Sequence, residues 1–347
     1  MRSAVLSAPK TLQWRDAPVP HPKAGEVVVQ IKAALTCGTD LKTFRRGHPK
    51  LAFGPFGHEA AGDILEAGEG VQGFAAGDPV MWVQTAPCAA CAQCLAGREN
   101  LCERLTEAMA LGAYAEALVL PAHIVARNLY AKPATLSYIE AAFLEPFSCI
   151  VHGWRVLARA DAVAPMPARV AIVGAGTIGL LHLAYARHAQ VPATVIARHP
   201  ERLALAKTLG AAGVRSADFD TLPDELAGAF PAVIECGGTA ESWQEAVRLA
   251  APGGRVLFFS GLPKGTHVPL DATRVHYEEL TCLGSFHFTP DDVRAARELL
   301  LAGVVPARSL VTDVLPLGAL AEAFSRLDGR EGFKYALIPG SGAAQWI

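Results

Sequence analysis

The chain has 347 residues, of which 51% are hydrophobic and 18% charged, so it can bury a large core and is not disordered overall. Its net charge of -2 provides no excess of cations for phosphates, which argues against nucleic acid as the main partner. The longest uncharged apolar stretch, residues 170–186, contains three glycines and fits a strand, turn and helix better than a membrane span. The N-terminus lacks a signal-peptide pattern. We therefore expect a cytoplasmic protein whose eight cysteines are reduced thiols or metal ligands.

Short strands with frequent turns are predicted for the first third of the chain. Apolar and polar residues alternate in Glu26–Lys32, Pro79–Val83 and Ala115–Val119, and four glycines fall between Gly68 and Gly77. This pattern predicts an all-β region.

Strands alternate with helices from Arg169 onward. Strands are predicted at Arg169–Val173, Thr194–Ala197, Ala232–Cys236 and Arg255–Ser260, and helices at Thr177–Ala189, Pro200–Leu209, Glu241–Ala250 and, capped by Thr289, up to Ala302. This alternation predicts a parallel sheet with helices on both faces. The tail, Val311–Ile338, is expected to return to the first domain.

Four cysteines fall within fifteen residues, as Cys88, Cys91, Cys94 and Cys102. Four thiolates at this spacing can close a tetrahedral metal site. An iron–sulfur cluster is the alternative, but the bacterial pattern has a last gap of about three residues followed by proline. Here the last gap is seven residues and Glu103 follows, so the spacing favours a structural zinc.

A second candidate metal site combines Cys37 with His58 and Glu59, all of which are zinc-ligand types. Three protein ligands and one open position are typical of a catalytic zinc. Asp40 is placed to accept the second ring N–H of His58, and the hydroxyl of Thr39 is a candidate proton carrier. A cysteine and a histidine twenty-one residues apart are weak evidence on their own.

The segment Gly174-Ala175-Gly176-Thr177-Ile178-Gly179 follows a predicted strand and opens a predicted helix. This context indicates a dinucleotide-binding turn, in which the pyrophosphate lies at the helix N-terminus. The next predicted strand ends at Ala197, where NAD-binding proteins carry an acid for the ribose 2′-hydroxyl. Arg198 and His199 follow, and Arg202 lies one helical turn further. We therefore predict NADP as the preferred cofactor, with NAD as the alternative.

Taken together, these motifs resemble the zinc-dependent medium-chain alcohol dehydrogenases, in the branch that includes polyol and threonine dehydrogenases. The resemblance spans the whole chain and includes Glu145-Pro146. It implies a chaperonin-like β catalytic domain, from residues 1–150 and 303–347, and a Rossmann domain from residues 151–302. It also implies a small-molecule substrate, a homodimer or homotetramer, and no nucleic-acid or membrane partner.

The resemblance assigns the functional residues one by one. The catalytic zinc is expected on Cys37, His58 and a third ligand that is either Glu59 or Glu145, and the structural zinc on the four cysteines. Two zinc ions per chain follow. The dinucleotide contacts are expected from the residues of the turn and of the positions after the later strands, namely Gly174, Gly176, Thr177, Ile178, Gly179, Arg198, Arg202, Gly237 and Gly261.

Two segments depart from the family pattern. Lys42 stands where many members have a proton-relay histidine, and a solvated or phosphate-facing cation is its expected role. Phe286–Phe288 replaces an Arg-Tyr pair that contacts substrate in many polyol dehydrogenases, which puts a polyol substrate in doubt. His48 and His287 are candidate pocket residues.

The reaction implied by the resemblance is reversible oxidation of a secondary alcohol, with zinc as the Lewis acid, Thr39 passing the proton outward and the nicotinamide taking the hydride. Two alternatives are a zinc-independent quinone or enone reductase and a non-catalytic nucleotide-binding protein on the same scaffold. The presence of Cys37, His58 and Glu145 together argues against both.

Overall fold

A computed structural model describes residues 1–47, 52–216, 224–340 and 346 of the chain. The chain divides into two compact units, one formed by residues 1–148 and 288–347 and the other by residues 149–287. Among the described residues, no helix is both long and apolar enough to cross a bilayer.

The strands of the described residues are β1 Arg2–Ala8, β2 Thr11–Asp16, β3 Val27–Leu35, β4 Glu59–Ala67, β5 Pro79–Trp82, β6 Ala117–Leu120, β7 Leu129–Ala131, β8 Val170–Val173, β9 Ala193–Ala197, β10 Gly213–Ser216, β11 Phe230–Glu235, β12 Ala250–Phe258, β13 Thr281–Gly284, β14 Val311–Pro316 and β15 Lys334–Ile338. The α-helices are α1 Gly38–Arg46, α2 Ala92–Leu95, α3 Ala122–Asn128, α4 Tyr138–Ala141, α5 Leu144–Arg159, α6 Thr177–His188, α7 Pro200–Thr208, α8 Ala240–Leu249, α9 Ala272–Tyr277, α10 Pro290–Leu301, α11 Ala307–Leu310 and α12 Leu320–Asp328.

A mixed sheet is the frame of the first unit. Its strand order is β14-β15-β3-β4-β5-β7, and β6 pairs with one end of β3. Strands β14 and β15 come from the C-terminal part of the chain, so the prediction that this part returns to the first domain is confirmed. The apolar residues of β3 are almost fully buried and pack with an aromatic group formed by Phe56, Tyr114 and Phe324.

A six-stranded parallel sheet is the frame of the second unit. The strand order β10-β9-β8-β11-β12-β13 is the arrangement of a Rossmann fold. Strands β9 and β10 are added on one side of β8, and β11, β12 and β13 are then added on its other side. All four residues of β8 are buried because helices cover both faces of the sheet. The predicted α/β fold, with a β domain and a Rossmann domain, is confirmed.

The structure differs from the sequence prediction at two places. The first third is not all-β, because α1 forms directly after Cys37. Its first turn contains Asp40 and its last turn Arg45 and Arg46, and these charges stabilise the helix by interacting favourably with its dipole.

The second difference concerns α10, which we assigned to the Rossmann domain and which groups with the first unit instead. The helix packs beside α3, and the guanidinium of Arg297 lies 5.9 Å from the ring centre of Tyr130. The units therefore divide near residue 288 rather than 303.

Candidate functional site

The first candidate metal site is assembled where α1 and β4 begin. Cys37 is the N-cap of α1, and its Sγ accepts a hydrogen bond from the backbone N–H of Thr39 at 3.4 Å. Asp40 is buried in the first turn, and its Oδ1 lies 3.0 Å from Nδ1 of His58. This contact leaves Nε2 of His58 for another partner. The predicted contact between Asp40 and His58 is therefore present.

The opposite side of Asp40 is held by Tyr114, which sequence reasoning missed. The Tyr114 hydroxyl lies 2.7 Å from Oδ2 of Asp40 and 3.1 Å from the carbonyl oxygen of Leu35. Burial and the nearby Asp40 carboxylate raise the pKa of Tyr114, so the phenol keeps its proton and donates it in the hydrogen bond.

Three potential ligand atoms converge at this point. The Sγ of Cys37, a ring nitrogen of His58 and a carboxylate oxygen of Glu59 all lie within 4.8 Å of one another. Glu59 is 1% exposed, and its Oε2 is bound by Nζ of Lys334, which also donates to the carbonyl oxygen of Thr36 at 2.7 Å. Its Oε1 is buried and accepts no hydrogen bond from the described residues. A buried carboxylate oxygen without a donor fits a metal ligand.

Glu145, the other predicted third ligand, lies beside this group rather than within it. Its Oε1 accepts a hydrogen bond from the side-chain amide of Gln84 at 2.7 Å, and its Oε2 lies 3.9 Å from Nε2 of His58. Each glutamate thus has one oxygen held by a neighbouring donor. The donors differ in charge, since Lys334 is a cation and Gln84 is neutral.

The electrostatics of the group favour a bound cation. Burial raises the pKa of Glu59 to about 7, although the charge of Lys334 opposes the shift. Burial and the Glu59 carboxylate raise the pKa of Cys37. The pKa of His58 is also raised, because the surrounding Asp40, Cys37 and Glu145 outweigh the effect of burial. Several acidic groups thus share a buried space, and a divalent ion would stabilise their charged forms.

The four cysteines form the second candidate metal site. The sulfur atoms are separated by 3.5 Å for Cys91 and Cys94, 3.9 Å for Cys91 and Cys102, and 4.0 Å for Cys88 and Cys94. Four sulfurs bound to one zinc at ~2.3 Å in a tetrahedron lie ~3.8 Å apart, so the spacing fits a single ion.

Backbone N–H groups already point at these sulfurs. The N–H groups of Cys88 and Cys91 each donate to a cysteine Sγ at 3.3 Å, as expected around thiolate ligands. Hydrogen bonds from backbone N–H groups lower the pKa of Cys91 to about 6, whereas burial raises that of Cys94 to about 12. Four thiolates at this distance would require a cation between them, so the donor set fits a metal ion.

The predicted dinucleotide turn has the backbone that its glycines require. Gly174 has a φ of +107°, and a Cβ there would lie 3.0 Å from the backbone of Cys236. A Cβ on Gly179 would lie 1.9 Å from the carbonyl oxygen of Gly174, so a side chain would push α6 away from the turn. Thr177 and Ile178 open α6. The structure therefore provides the tight turn and the close helix approach of a pyrophosphate-binding motif.

Basic residues surround the end of β9. Ala197 is its last residue, and Arg198 and the α7 N-cap His199 follow directly. Nη1 of Arg202 lies 3.7 Å from the position that a Cβ on Gly176 would occupy, so this guanidinium lies over the glycine turn. Hydrogen bonds lower the pKa of the Glu241 carboxyl, and the nearby charge of Arg198 adds a smaller contribution in the same direction.

Glu235, at the end of β11, was not predicted and organises the loop that contains Gly237. Its Oε1 accepts hydrogen bonds from the backbone N–H groups of Gly237 and Gly238, both at 2.7 Å, and from the hydroxyl of Ser242 at 2.6 Å. The carboxylate is fully buried. Gly261, which follows β12, has open space where a Cβ would lie.

The remaining sequence candidates lie at the margins of these groups. Thr39 and Lys42 are exposed on α1, and His287 is half-buried with a φ of +60°. His48 lies outside the described residues. A charged residue at the start of the apolar strand Lys334–Ile338 was the one sequence signal that could have indicated Lys334. No comparable signal singled out Tyr114 or Gln84.

Comparisons with known proteins agree with this geometry. Residues 23–130 match the alcohol dehydrogenase GroES-like domain, and residues 177–302 match the zinc-binding dehydrogenase domain. The chain belongs to the zinc-dependent alcohol dehydrogenase family. It is therefore an oxidoreductase that acts on CH–OH donors, as the resemblance of its motifs predicted.

Relatives of known name match almost the whole chain. L-Galactonate-5-dehydrogenase of Escherichia coli K12 is 30% identical over 344 residues, which cover 96% of this chain and 98% of that protein. Sorbitol dehydrogenase of Bacillus subtilis is 29% identical, with coverage of 94% and 93%. Among solved structures, a putative zinc-binding dehydrogenase from Sinorhizobium meliloti 1021 bound to NADP has a TM-score of 0.86 and 28% identity, and the match covers 97% and 99% of the two chains.

Proposed function

We propose that this protein transfers a hydride between a secondary alcohol, of the polyol, sugar or related hydroxy-compound class, and NADP. The observation on which the proposal chiefly depends is the convergence of Cys37, His58 and Glu59, whose buried Oε1 has no donor among the described residues. Relatives that act on L-galactonate and sorbitol support this substrate class. A homodimer or homotetramer in the cytoplasm stays a prediction from the sequence.

Cys37, His58 and Glu59 would hold the catalytic zinc. When bound, zinc supplies the Lewis acidity that polarises the substrate oxygen. Asp40 keeps the proton of His58 on Nδ1, so that Nε2 presents a lone pair. Lys334 holds Oε2 of Glu59, which would leave Oε1 to bind the ion. Gln84 holds Glu145 next to His58, where Glu145 would be available as the alternative ligand.

The exposed Thr39 lies two residues after Cys37, and its Oγ1 would pass the substrate proton to solvent. The nicotinamide, when bound, supplies the hydride acceptor, and the chain's own task is to hold it. Gly174, Gly176 and Gly179 allow the pyrophosphate to approach the N-terminus of α6. The four cysteines would hold a second, structural zinc that ties together the segment from Cys88 to Cys102, which includes α2.

Metal analysis and two cysteine variants test the two zinc sites. We expect two zinc ions per chain in the wild type and one in each of the variants Cys37→Ser and Cys94→Ser. Cys37→Ser should abolish turnover while most of the fold remains, whereas Cys94→Ser should lower the melting temperature because a closed site loses one thiolate. The variant of the exposed Cys282, Cys282→Ser, is the matched control and should keep both ions. Iron with labile sulfide in place of one zinc would show that the structural assignment is wrong.

The basic residues after β9 support NADP as the cofactor. Position 197, at the end of β9, is an alanine rather than an acid, and Arg198 directly after it would meet a 2′-phosphate. Arg202 lies over the glycine turn that would approach the pyrophosphate. The NADP-bound relative supports the same choice. A hydrogen bond to a charged group contributes ~1.5–3 kcal/mol, or about ten- to a hundredfold in affinity. We therefore expect NADP to bind tighter than NAD by about this factor.

The two arginines are expected to act differently. Arg198→Ala should remove most of the preference by weakening NADP alone, and Arg202→Ala should weaken both cofactors because both contain the pyrophosphate. Arg169, at the opposite end of the sheet, provides the control variant Arg169→Ala, which should leave the ratio unchanged. Quenching of intrinsic fluorescence gives the dissociation constants of NAD and NADP for the wild type and the three variants. Equal affinities of the wild type for NAD and NADP would contradict the proposal.

A further inference from the structure

We infer that Tyr114 is a positioning residue for the catalytic metal ion, through the chain of hydrogen bonds from its hydroxyl to Asp40 and from Asp40 to His58. The inference rests on the proposed function, because it concerns the metal site of Cys37, His58 and Glu59. It adds a residue that touches no ligand atom of the ion and that no sequence motif indicated.

The hydroxyl of Tyr114 fixes the carboxylate of Asp40. It lies 2.7 Å from Oδ2, while Nδ1 of His58 lies 3.0 Å from Oδ1, so the two carboxylate oxygens are held from opposite sides. A carboxylate with both oxygens bound cannot rotate freely about its χ2 angle. Asp40 is 4% exposed, so water is not readily available to replace the phenol as donor.

The ring of Tyr114 fixes the other half of the same pair. Gly57, the residue before His58, has a φ of +91°, and a Cβ there would lie 2.7 Å from the Tyr114 ring. The backbone before His58 therefore lies directly against the Tyr114 ring. The carbonyl oxygen of Gly57 also accepts hydrogen bonds from the N–H groups of Gly112 and Ala113, which precede Tyr114. One side chain thus sets the position of the histidine by its ring and the position of the aspartate by its hydroxyl.

Tyr114 is itself held rigidly by its surroundings. It is fully buried, and its ring contacts Phe56 and Phe324 edge-on, with centroid distances of 5.1 Å and 5.8 Å. The backbone carbonyl of Tyr114 accepts a hydrogen bond from the N–H of Ala4. A rigid outer partner of this type keeps a ligating histidine in one orientation and one tautomer.

The variant Tyr114→Phe separates the two contacts, because it keeps the ring under Gly57 and removes only the hydroxyl. Its readout is the rate at which each zinc ion is transferred to a coloured chelator. Loss of an outer-shell partner costs about 10- to 100-fold in metal affinity, so we expect release of the catalytic zinc to accelerate by about that factor. Release of the zinc held by the four cysteines should be unchanged. In the cobalt-substituted protein, the visible bands of the catalytic site should shift.

The matched control is Tyr335→Phe, in the same core. Tyr335 is also fully buried, and its hydroxyl donates to the carbonyl oxygen of Glu331 at 2.9 Å, away from the three ligands. This variant should release both ions at the wild-type rate. A double variant, Asp40→Asn with Tyr114→Phe, should release the catalytic zinc no faster than Asp40→Asn alone, because both changes act through one chain of hydrogen bonds.

Two results would overturn the inference. One is release of the catalytic zinc from Tyr114→Phe at the rates of the wild type and of Tyr335→Phe. The other is equal acceleration for both ions, which would show that the hydroxyl only stabilises the fold. Neither result would contradict the proposed function. That proposal fails separately if the wild-type protein and Cys37→Ser bind the same amount of zinc.

Discussion

His182 gives the protein a pH-dependent stability that the reaction does not require. This residue lies in the middle of α6 and is fully buried. Its ring meets Phe259 edge-on, with a centroid distance of 4.7 Å, and neither ring nitrogen has a hydrogen-bond partner among the described residues. Burial lowers the pKa of His182 to about 3 from an ordinary value of 6.5. The folded protein therefore keeps this imidazole neutral where the unfolded chain protonates it.

The direction and size of the effect follow from proton linkage. Between pH 6.5 and about 3, the unfolded state binds a proton at this histidine and the folded state does not, so stability decreases as the pH falls. Each pH unit in this window changes the free energy of unfolding by ~1.4 kcal/mol for one proton. From pH 7.5 to pH 5.0, the loss that this side chain causes is therefore about 2 kcal/mol.

The variant His182→Leu should remove this loss. We expect its free energy of unfolding, relative to wild type, to increase by about 2 kcal/mol between pH 7.5 and pH 5.0. Urea unfolding at several pH values, followed by tryptophan fluorescence, measures it; Trp154 contributes a local signal because its ring centroid lies 6.4 Å from that of His182. The control is His188→Gln, at an exposed histidine on the same helix, which should track the wild type. A difference between His182→Leu and wild type that stays constant with pH would refute the reasoning.

Two further substitutions test the surroundings of the first metal site. Gly57→Ala should lower the melting temperature and the zinc content together, because its Cβ would lie 2.7 Å from the ring of Tyr114 at a φ of +91°; Gly318→Ala, at an open position of the same unit, should change neither. Lys334→Met should destabilise the protein by about 3–5 kcal/mol in chemical denaturation, since it leaves the buried Glu59 without its cation. Adding Glu59→Gln should recover most of that loss, and an additive double variant would show that the two residues are not coupled.

Local patterns in the sequence determined the architecture of the Rossmann unit. The alternation of apolar strands with helices predicted the parallel sheet. The helix predicted to start at Thr289-Pro290 also begins at Pro290 with the predicted cap, although it groups with the other unit. The glycine turn was predictable because a tight turn and a close helix leave no room for a Cβ, so that only glycine fits at these positions. The residue types of both metal groups were likewise visible, since few side chains bind zinc.

Residues that bond over long sequence separations were decided only by the tertiary structure. Lys334 donates to the carbonyl oxygen of Thr36, which is 298 positions earlier, and Tyr114 bonds to Asp40 across 74 positions. Gln84 reaches Glu145 across 61 positions. A lysine, a tyrosine and a glutamine are ordinary residues in any sequence. The role of Lys334 arises only when strands β3, β4 and β15 are paired, and those of Tyr114 and Gln84 only when distant segments come together.

The same reason explains where the prediction was wrong. Residues 290–301 form the expected helix, but the helix pattern gives no information about which unit that helix packs against. Periodicity and capping act over a few residues and are written in the sequence. The partner of a buried charge or of an apolar helix face depends on which distant segments fill the same volume, and only the folded chain determines that.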